Sequence, residues 1–398
     1  MKKFNMAIIG CGGRGRSLTL GCIQWREFIN IVAVCDEYED KAQKLADELV
    51  EKGKNRPKVY TNYEQCVDNE KLDCILVATA WEAHIKVSTY AMEKGITVAC
   101  EVGGAYSINS LWELVRCYER TKTPIMLLEN CCYGRLELLA LNMKRQGLFG
   151  KVVHCEGAYN HDLRREVTEG KQRRHYRLLQ YIHRNTENYP THEIGPIAKL
   201  LDITFGNRFT TLYAVSSGSY GLKEFVKEKN LEDLKDVDFK QGDVITTIMQ
   251  CQNGETVTIN LNTTLPRPYS RGFLVEGTKG MLSEDNNSVC LEKDFETTIP
   301  HDWTPNYNNM DKYYEKYEHR LWKGFVPNDD HGGIDNLVFD SFFDSLVNNK
   351  PMAIDVYEMA TWMAISVLAE QSIQTGQSIP FPDFTDGKWI FRKNEFEL

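Results

Sequence analysis

Gly10-Cys11-Gly12-Gly13-Arg14-Gly15 has the spacing G-x-G-x-x-G between a short apolar run and a helical pattern. In that context such a loop can cradle a pyrophosphate. The first glycine permits a tight turn, the second lets the backbone approach the phosphates, and the third lets helix and strand pack closely. A helix N-terminus also attracts the phosphate charge. Asp36, at the end of the next apolar run, stands where a carboxylate accepts from ribose hydroxyls and repels a 2′-phosphate. The pattern favours NAD over NADP, although Arg14 and Arg16 supply the charge that NADP would need. A second set of residues can move protons. His192 titrates near neutrality without special help. Pro190 suits the first position of a helix, which makes Tyr189 its cap and puts His192 in its first turn. Tyr159 ends a strand, and as a base it needs a neighbouring cation, because a free phenol ionises only near pH ~10. Arg177, in the basic run Lys171 to Arg177, offers a fork of donors to hydroxyl or carbonyl acceptors.

The elements that must hold these residues fall into two patterns. Phe4–Ile9, Ile31–Cys35, Cys74–Thr79, Thr97–Glu101 and Pro124–Leu128 are short aliphatic runs of buried-strand type. Amphipathic stretches Lys41–Glu51, Ala83–Lys94 and Leu111–Arg120 lie between them. Repeated βαβ units of this kind predict a doubly wound parallel sheet, a Rossmann domain over residues 1–130. From 131 to 398 the pattern changes. A helix is expected at Leu136–Gln146 and another from Tyr189-Pro190 to Asp202. Strands are expected at Val152–Tyr159, Thr211–Ser216, Val244–Cys251, Thr256–Asn262 and Arg271–Glu276. This predicts an α+β domain with an open, mostly antiparallel sheet. Leu222–Lys240 reads as a charged, solvated excursion. Ser283–Asp330 reads as a long functional loop carrying an aromatic helix at Tyr313–Trp322. Helices at Leu337–Val347 and Val356–Ser372 close the chain.

The chain has 398 residues, enough for two or three domains with substantial cores. No apolar run reaches the ~18 residues of a membrane span, so no membrane partner is expected. The net charge of −9 argues against a nucleic-acid binder. The twelve cysteines lie mostly inside apolar runs, with no Cys-x-x-Cys and no zinc spacing. They read as reduced core thiols, with no metal site. The apolar stretch near the N-terminus stops at Gly10, too early for a secretory signal, so a cytoplasmic location is expected.

The set Gly10–Gly15, Asp36, Thr79-Ala80-Trp81-Glu82-Ala83-His84 and Cys100-Glu101 resembles the Gfo/Idh/MocA oxidoreductases. Two positions depart from the ordinary dehydrogenases of that group. They carry Glu-Lys-Pro with a catalytic lysine where this chain has Glu101-Val102-Gly103. They carry an Asp where Asn188 precedes His192. Leu128-Glu129-Asn130-Cys131-Cys132-Tyr133-Gly134-Arg135, Glu156-Gly157-Ala158-Tyr159, Arg184-Asn185, Tyr189-Pro190-Thr191-His192, His331-Gly332-Gly333 and Ala364-Ile365-Ser366 narrow the match. Together they resemble glycoside hydrolase family 109, the NAD-dependent α-N-acetylgalactosaminidase-type enzymes, in which Pro is usual at the place of Gly103.

The resemblance implies a glycosidase in which the sugar is oxidised at C3 with NAD⁺ as acceptor. It then loses its C2 proton, expels the aglycone from C1, adds water and is reduced again. Conventional glycosidases instead flank C1 with two carboxylates. By the same resemblance His192, Tyr159 and Tyr189 are the catalytic set. Tyr159, Arg177, Tyr189, Pro190, Thr191, His192 and Tyr269 contact a small glycoside. Gly10, Gly12, Arg14, Gly15, Asp36, Trp81, His84, Glu101, Val102 and Asn130 hold NAD. A homo-oligomer is expected, because an open antiparallel sheet often pairs between subunits. The alternatives are an NAD-dependent sugar or polyol dehydrogenase, against which the missing lysine argues, and a sugar- and NAD-sensing regulator without turnover.

Overall fold

The computed structural model describes residues 2–294, 301–327 and 330–394. They divide into two compact units, Met1–Asn130 with Val326–Ala360, and Cys131–Phe325 with Thr361–Asn394. The sequence reading had assigned Val326–Ala360 to the second region; it packs with the first.

The first unit is built on six parallel strands: β1 (Phe4–Ile9), β2 (Ile29–Cys35), β3 (Lys58–Tyr60), β4 (Cys74–Val77), β5 (Thr97–Cys100) and β6 (Ile125–Leu127). Their order is β3-β2-β1-β4-β5-β6, the doubly wound arrangement of a Rossmann domain. Every residue of β4, β5 and β6 is buried, as expected for strands covered on both faces. The Glu39–Glu51 helix buries Ala42, Leu45, Ala46 and Leu49, an i, i+3, i+4, i+7 stripe. It starts two residues before the apolar pattern does, because Glu39 and Asp40 suit the positive end of a helix without marking a buried face. β3 was not expected: a three-residue strand at the sheet edge has too little burial to leave a periodic signal. Within the returning segment, the Ile334–Asn348 helix buries Phe339, Phe342 and Phe343, and Phe343 meets Phe28 edge-on at 5.6 Å.

The second unit carries β7 (Val152–Asn160), β8 (Phe209–Ser216), β9 (Ile245–Cys251), β10 (Thr256–Asn262), β11 (Leu274–Gly277), β12 (Gly280–Ser283), β13 (Ser288–Leu291) and β14 (Ile379–Pro380). The order is β13-β12-β11-β7-β10-β9-β8-β14, antiparallel throughout except for the parallel pair β7 and β10. One strand, β13, falls inside the stretch read as irregular, and β12 ends on its first residue; residues 295–300 and 328–329 of that stretch lie outside the described residues. The aromatic helix there is shorter than expected, Asp311–Tyr317. The stretch read as a solvated excursion also differs. It contains a Gly221–Glu228 helix that buries Leu222 and Val226, and Leu234 and Phe239 are buried beyond it. Charged residues on the outer face had masked that apolar side.

Candidate active site

The first unit holds the loop and its partners. Gly10 ends β1 at φ +99°, and a β-carbon there would collide with the carbonyl of Ala78. At Gly15 a β-carbon would collide with the carbonyl oxygen of Gly10. Around Gly12 and Gly13, by contrast, nothing lies within 4 Å of an added β-carbon. The loop is pinched where helix meets strand and open where a pyrophosphate would approach. Asp36 is pinned at the end of β2. The Cys11 N–H donates to its Oδ2 at 2.8 Å and the Tyr38 N–H to its Oδ1 at 3.0 Å. Each carboxylate oxygen accepts more than one hydrogen bond, so both keep capacity for ribose hydroxyls. The site thus fits a dinucleotide. Both arginines that could have met a 2′-phosphate are engaged with carboxylates. Arg16 forks onto Glu48 at 2.5 and 2.8 Å. Arg14 forks onto Asp335 at 2.7 and 2.8 Å and donates from Nε to Glu101 at 3.0 Å.

Asp335 was not foreseen, yet it organises this half. Besides Arg14 it accepts from the Asn130 side chain at 2.7 Å and meets His331 Nδ1 at 3.0 Å. Burial alone would raise its carboxyl; the bonds to Arg14 and His331 outweigh burial and hold it well below the usual carboxylate range. His331-Gly332-Gly333, one of the stretches that carry the family resemblance, has φ of 55°, 63° and 82° and delivers Asp335 into the first turn of its helix. Glu101 also accepts from the Val102 N–H at 3.2 Å. Trp81 is buried at the start of the Trp81–Glu93 helix. A β-carbon at Gly103 would lie 2.5 Å from its indole, a physical reason for glycine at that place. His84 is buried, with Nε2 3.0 Å from the Thr79 carbonyl. Burial pushes its imidazole down to about 4, so it is neutral at ordinary pH.

The second unit gathers the proton-handling residues. Tyr159 is the last residue but one of β7, and the Thr191–Leu200 helix packs on the same strand. The helix begins one residue later than the sequence reading placed it. Pro190 is its N-cap, and Thr191 and His192 open its first turn. The ring centroids of Tyr159 and Tyr189 are 4.7 Å apart, those of Tyr189 and His192 4.8 Å, and those of Tyr159 and His192 5.6 Å. Arg177 lies over the Tyr189 ring at 4.9 Å and is ion-paired with Glu166 at 3.1 Å. Burial works against its charge, but Tyr159, Glu166, Tyr176 and Tyr189 outweigh that and keep the guanidinium protonated. Arg177 is thus a cation set against the Tyr189 ring of this cluster.

Half-exposed Tyr269 stands 6.4 Å from the Tyr159 ring. His161 fills the space between them, 5.8 Å from Tyr159 and 5.3 Å from Tyr269. The sequence reading gave His161 no role. The alternation of a strand would have found it, two residues after Tyr159 and therefore on the same face. Pro190 and Thr191 are buried and shape the helix start. Asn188, at the place of the dehydrogenases' Asp, donates to Gln241 at 3.1 Å.

Comparisons with known proteins bear on both halves. Residues 4–128 match the oxidoreductase family with an NAD-binding Rossmann fold, and residues 133–391 match the C-terminal domain of glycosyl hydrolase 109. A glycosyl hydrolase family 109 protein of Stenotrophomonas maltophilia is 36% identical, covering 99% of this chain and 92% of that protein. An alpha-N-acetylgalactosaminidase of Tannerella forsythia is 36% identical over 92% of this chain and 83% of its own length. Among solved structures, a levoglucosan dehydrogenase complexed with NADH and levoglucosan aligns with a TM-score of 0.70 at 15% identity. That alignment covers 96% of this chain and all of the other. Myo-inositol 2-dehydrogenase of Lactobacillus plantarum aligns at 0.68 and 16%, with the same coverage. At such identities the structures share the fold alone. The sequence relatives go further: the chain belongs to glycosyl hydrolase family 109 and is an NAD-dependent glycosidase.

Proposed function

We propose that the enzyme hydrolyses a small N-acetylhexosaminide by transient oxidation at C3, with N-acetylgalactosamine the first candidate sugar. The relatives from Tannerella forsythia and Shewanella oneidensis carry the name alpha-N-acetylgalactosaminidase. The observation that carries the mechanism is the mutual contact of Tyr159, Tyr189 and His192 beside the Arg177 guanidinium. In this reading the first unit binds NAD and the second binds the glycoside. When bound, the nicotinamide supplies reversible hydride exchange at C3.

The chain's own residues supply the proton steps. Oxidation at C3 requires the C3 hydroxyl to lose a proton, and the resulting ketone acidifies C2–H. Tyr159 and His192, a phenol and an imidazole, are the bases for these two protons. Tyr189 caps the cluster and donates from its hydroxyl to the departing oxygen. Arg177, Thr191 and Tyr269 orient the sugar, and Pro190 fixes the helix start that carries Tyr189 and His192. Exposed Tyr213, Val215 and Ile248 on β8 and β9 support a homo-oligomer formed through the second sheet. The burial of eleven of the twelve cysteines, as core residues, supports the cytoplasmic setting expected from the sequence.

Turnover in D₂O tests the reaction. The released sugar should carry deuterium at C2 and its original hydrogen at C3, with no net NADH. A two-carboxylate glycosidase leaves C2 untouched, and a dehydrogenase accumulates NADH and an oxidised sugar. A thioglycoside should also be cleaved, because departure is driven from C2. Glycoside cleavage with no C2 deuterium and no isotope effect from a C2-deuterated substrate would refute the mechanism.

A further inference from the structure

The end of β7 is clamped on both sides. On one side the N–H and the carbonyl of Asn160 exchange hydrogen bonds with Ser270 at 3.1 and 3.0 Å, an antiparallel bridge that sets His161 opposite Tyr269. On the other side the His161 N–H donates to the Asn262 carbonyl at 2.9 Å, and the Leu163 N–H to the Thr263 carbonyl at 3.0 Å. The Ser270 hydroxyl donates to Asp285 at 2.8 Å, so the segment that carries Tyr269 is itself held. His161 is therefore mounted like a strand residue, although β7 ends one residue before it. The rings of Tyr189, Tyr159, His161 and Tyr269 form a row, with successive centroids 4.7, 5.8 and 5.3 Å apart. The row runs outward: Tyr189 and Tyr159 are 8% and 7% exposed, Tyr269 53%. The planes of His161 and Tyr269 meet at 85° and make a corner at the exposed end. Burial holds the His161 imidazole below its ordinary value, so at neutral pH it offers one N–H donor and one nitrogen acceptor.

We infer that His161 is a specificity residue on the aglycone side of the glycosidase site, where its imidazole hydrogen-bonds a hydroxyl of the departing group. The inference rests on the reaction read above. That reaction puts C2 and C3 of the sugar at Tyr159 and His192, toward the buried end of the row. C1 adjoins C2, and the group it carries must leave to solvent. On its way from the buried end to the exposed one, that group passes His161 before it reaches Tyr269. A residue at this place touches the aglycone but not the bonds made and broken at C2 and C3. An imidazole there favours a partner that can donate or accept. Against a purely apolar aglycone its nitrogens are left without that bond. Tyr269 supplies the apolar wall of the same corner. The site therefore prefers a hydroxyl-bearing aglycone to an alkyl one of equal length.

A matched pair of substrates tests this in the full-length enzyme: the glyceryl and propyl α-glycosides of N-acetylgalactosamine, which differ only in the hydroxyls of the departing group. Wild type should favour the glyceryl glycoside in kcat/KM by about tenfold. His161→Phe keeps a ring beside Tyr159 but has no nitrogens, and should cut that preference to about twofold or less. His161→Gln keeps a donor and an acceptor and should hold at least about fivefold. Exchange of the C2 proton of free N-acetylgalactosamine in D₂O gives a second readout, because it uses the proton steps with no aglycone present. In His161→Phe this exchange should fall less than glyceryl turnover does. A wild-type ratio near one overturns the proposal, and so does a His161→Phe ratio equal to that of wild type. Equal losses in both glycosides and in the exchange would give His161 a role in placing Tyr159 and overturn it too. If His161→Phe does not fold, His161→Ala takes its place in the same comparison. Absence of turnover and of C2 exchange in wild type would refute the reaction rather than the subsite. Calorimetric binding of the two glycosides then decides: the same preference in Kd, lost in His161→Phe, supports the subsite, and no preference overturns it.

Discussion

Arg14 and Asp335, 321 residues apart, meet through two hydrogen bonds of 2.7 and 2.8 Å within the first unit. The same carboxylate holds Asn130, and the same guanidinium holds Glu101. One ion pair thus sets the position of the loop and of two residues at the ends of neighbouring strands. Asp335→Ala leaves the partly buried Arg14 guanidinium with Glu101 alone of its two carboxylates and removes one acceptor from the Asn130 amide. We expect the purified variant to retain about tenfold less nicotinamide and to be destabilised by about 1–3 kcal/mol, less than for a fully buried pair because Arg14 is partly exposed. Assay of nicotinamide released on denaturation, with thermal melts, checks both. Unchanged retention would show that the hub does not serve the cofactor.

His84 makes acid stability predictable in sign. Its imidazole is pushed down to about 4 in the folded chain, against an ordinary value near ~6.5. Between these values the unfolded chain binds the extra proton and the folded chain does not, so stability falls as pH drops through that window. The loss reaches about 3 kcal/mol below pH ~4, by the scale of 1.36 kcal/mol per pKa unit. His84→Gln should flatten this part of a stability–pH curve measured by urea denaturation. A curve unchanged by the substitution would contradict the buried, neutral state.

The catalytic assignment makes its own demand. His192→Ala and Tyr159→Phe should each lower kcat by ~10²–10⁴-fold with unaltered melting temperature and cofactor content. Tyr159→Phe removes only an oxygen and preserves the ring contacts with Tyr189 and His192. Its loss should therefore appear in kcat rather than in stability. Near wild-type turnover in both variants would move the proton steps to other residues.

Gly103 offers a test at the place where the family usually has proline. A ring there requires the Trp81 indole to move, since even a β-carbon would approach it to 2.5 Å. Gly103→Pro in this chain should weaken nicotinamide retention about tenfold and cost roughly 1–3 kcal/mol, the scale of overpacking. A second change, Trp81→Ala, should relieve the steric part of the stability loss. Lack of any effect of Gly103→Pro on melting temperature would show that the indole has room to yield.

What could be read from the linear chain follows the range of the interactions. Gly10, Gly15 and Asp36 are legible because the turn and the end of β2 that they need are built by nearby segments. Tyr159 and His192 are legible because one ends a strand and the other opens a helix, and because their surroundings resemble a known family. Asp335 was missed because its partner Arg14 lies at the other end of the chain, and nothing near Asp335 marks it as paired. β3 and β14 were missed because edge strands of two or three residues carry little burial to imprint a period. His161 needed no structure, only the two-residue alternation of β7 applied one step past Tyr159.

The parallel pair β7 and β10 bears on how this family could diversify. Tyr159 lies opposite Leu261 and Asn160 opposite Asn262, so both strands reach the same rim of the sheet together. The chain segments that leave from that rim contain Arg177 and Tyr189 after β7, and Tyr269 after β10. The opposite rim carries the tight connection from β9 to β10, whose Cys251 N–H donates to the Glu255 carbonyl at 2.8 Å. Insertions or exchanges in the first pair of segments can remodel sugar and aglycone recognition while the ladder of hydrogen bonds stays intact. Changes at the other rim alter strand pairing before they reach any ligand. Selection for new glycosides therefore has one permissive edge on which to act, and drift in loop length should concentrate there.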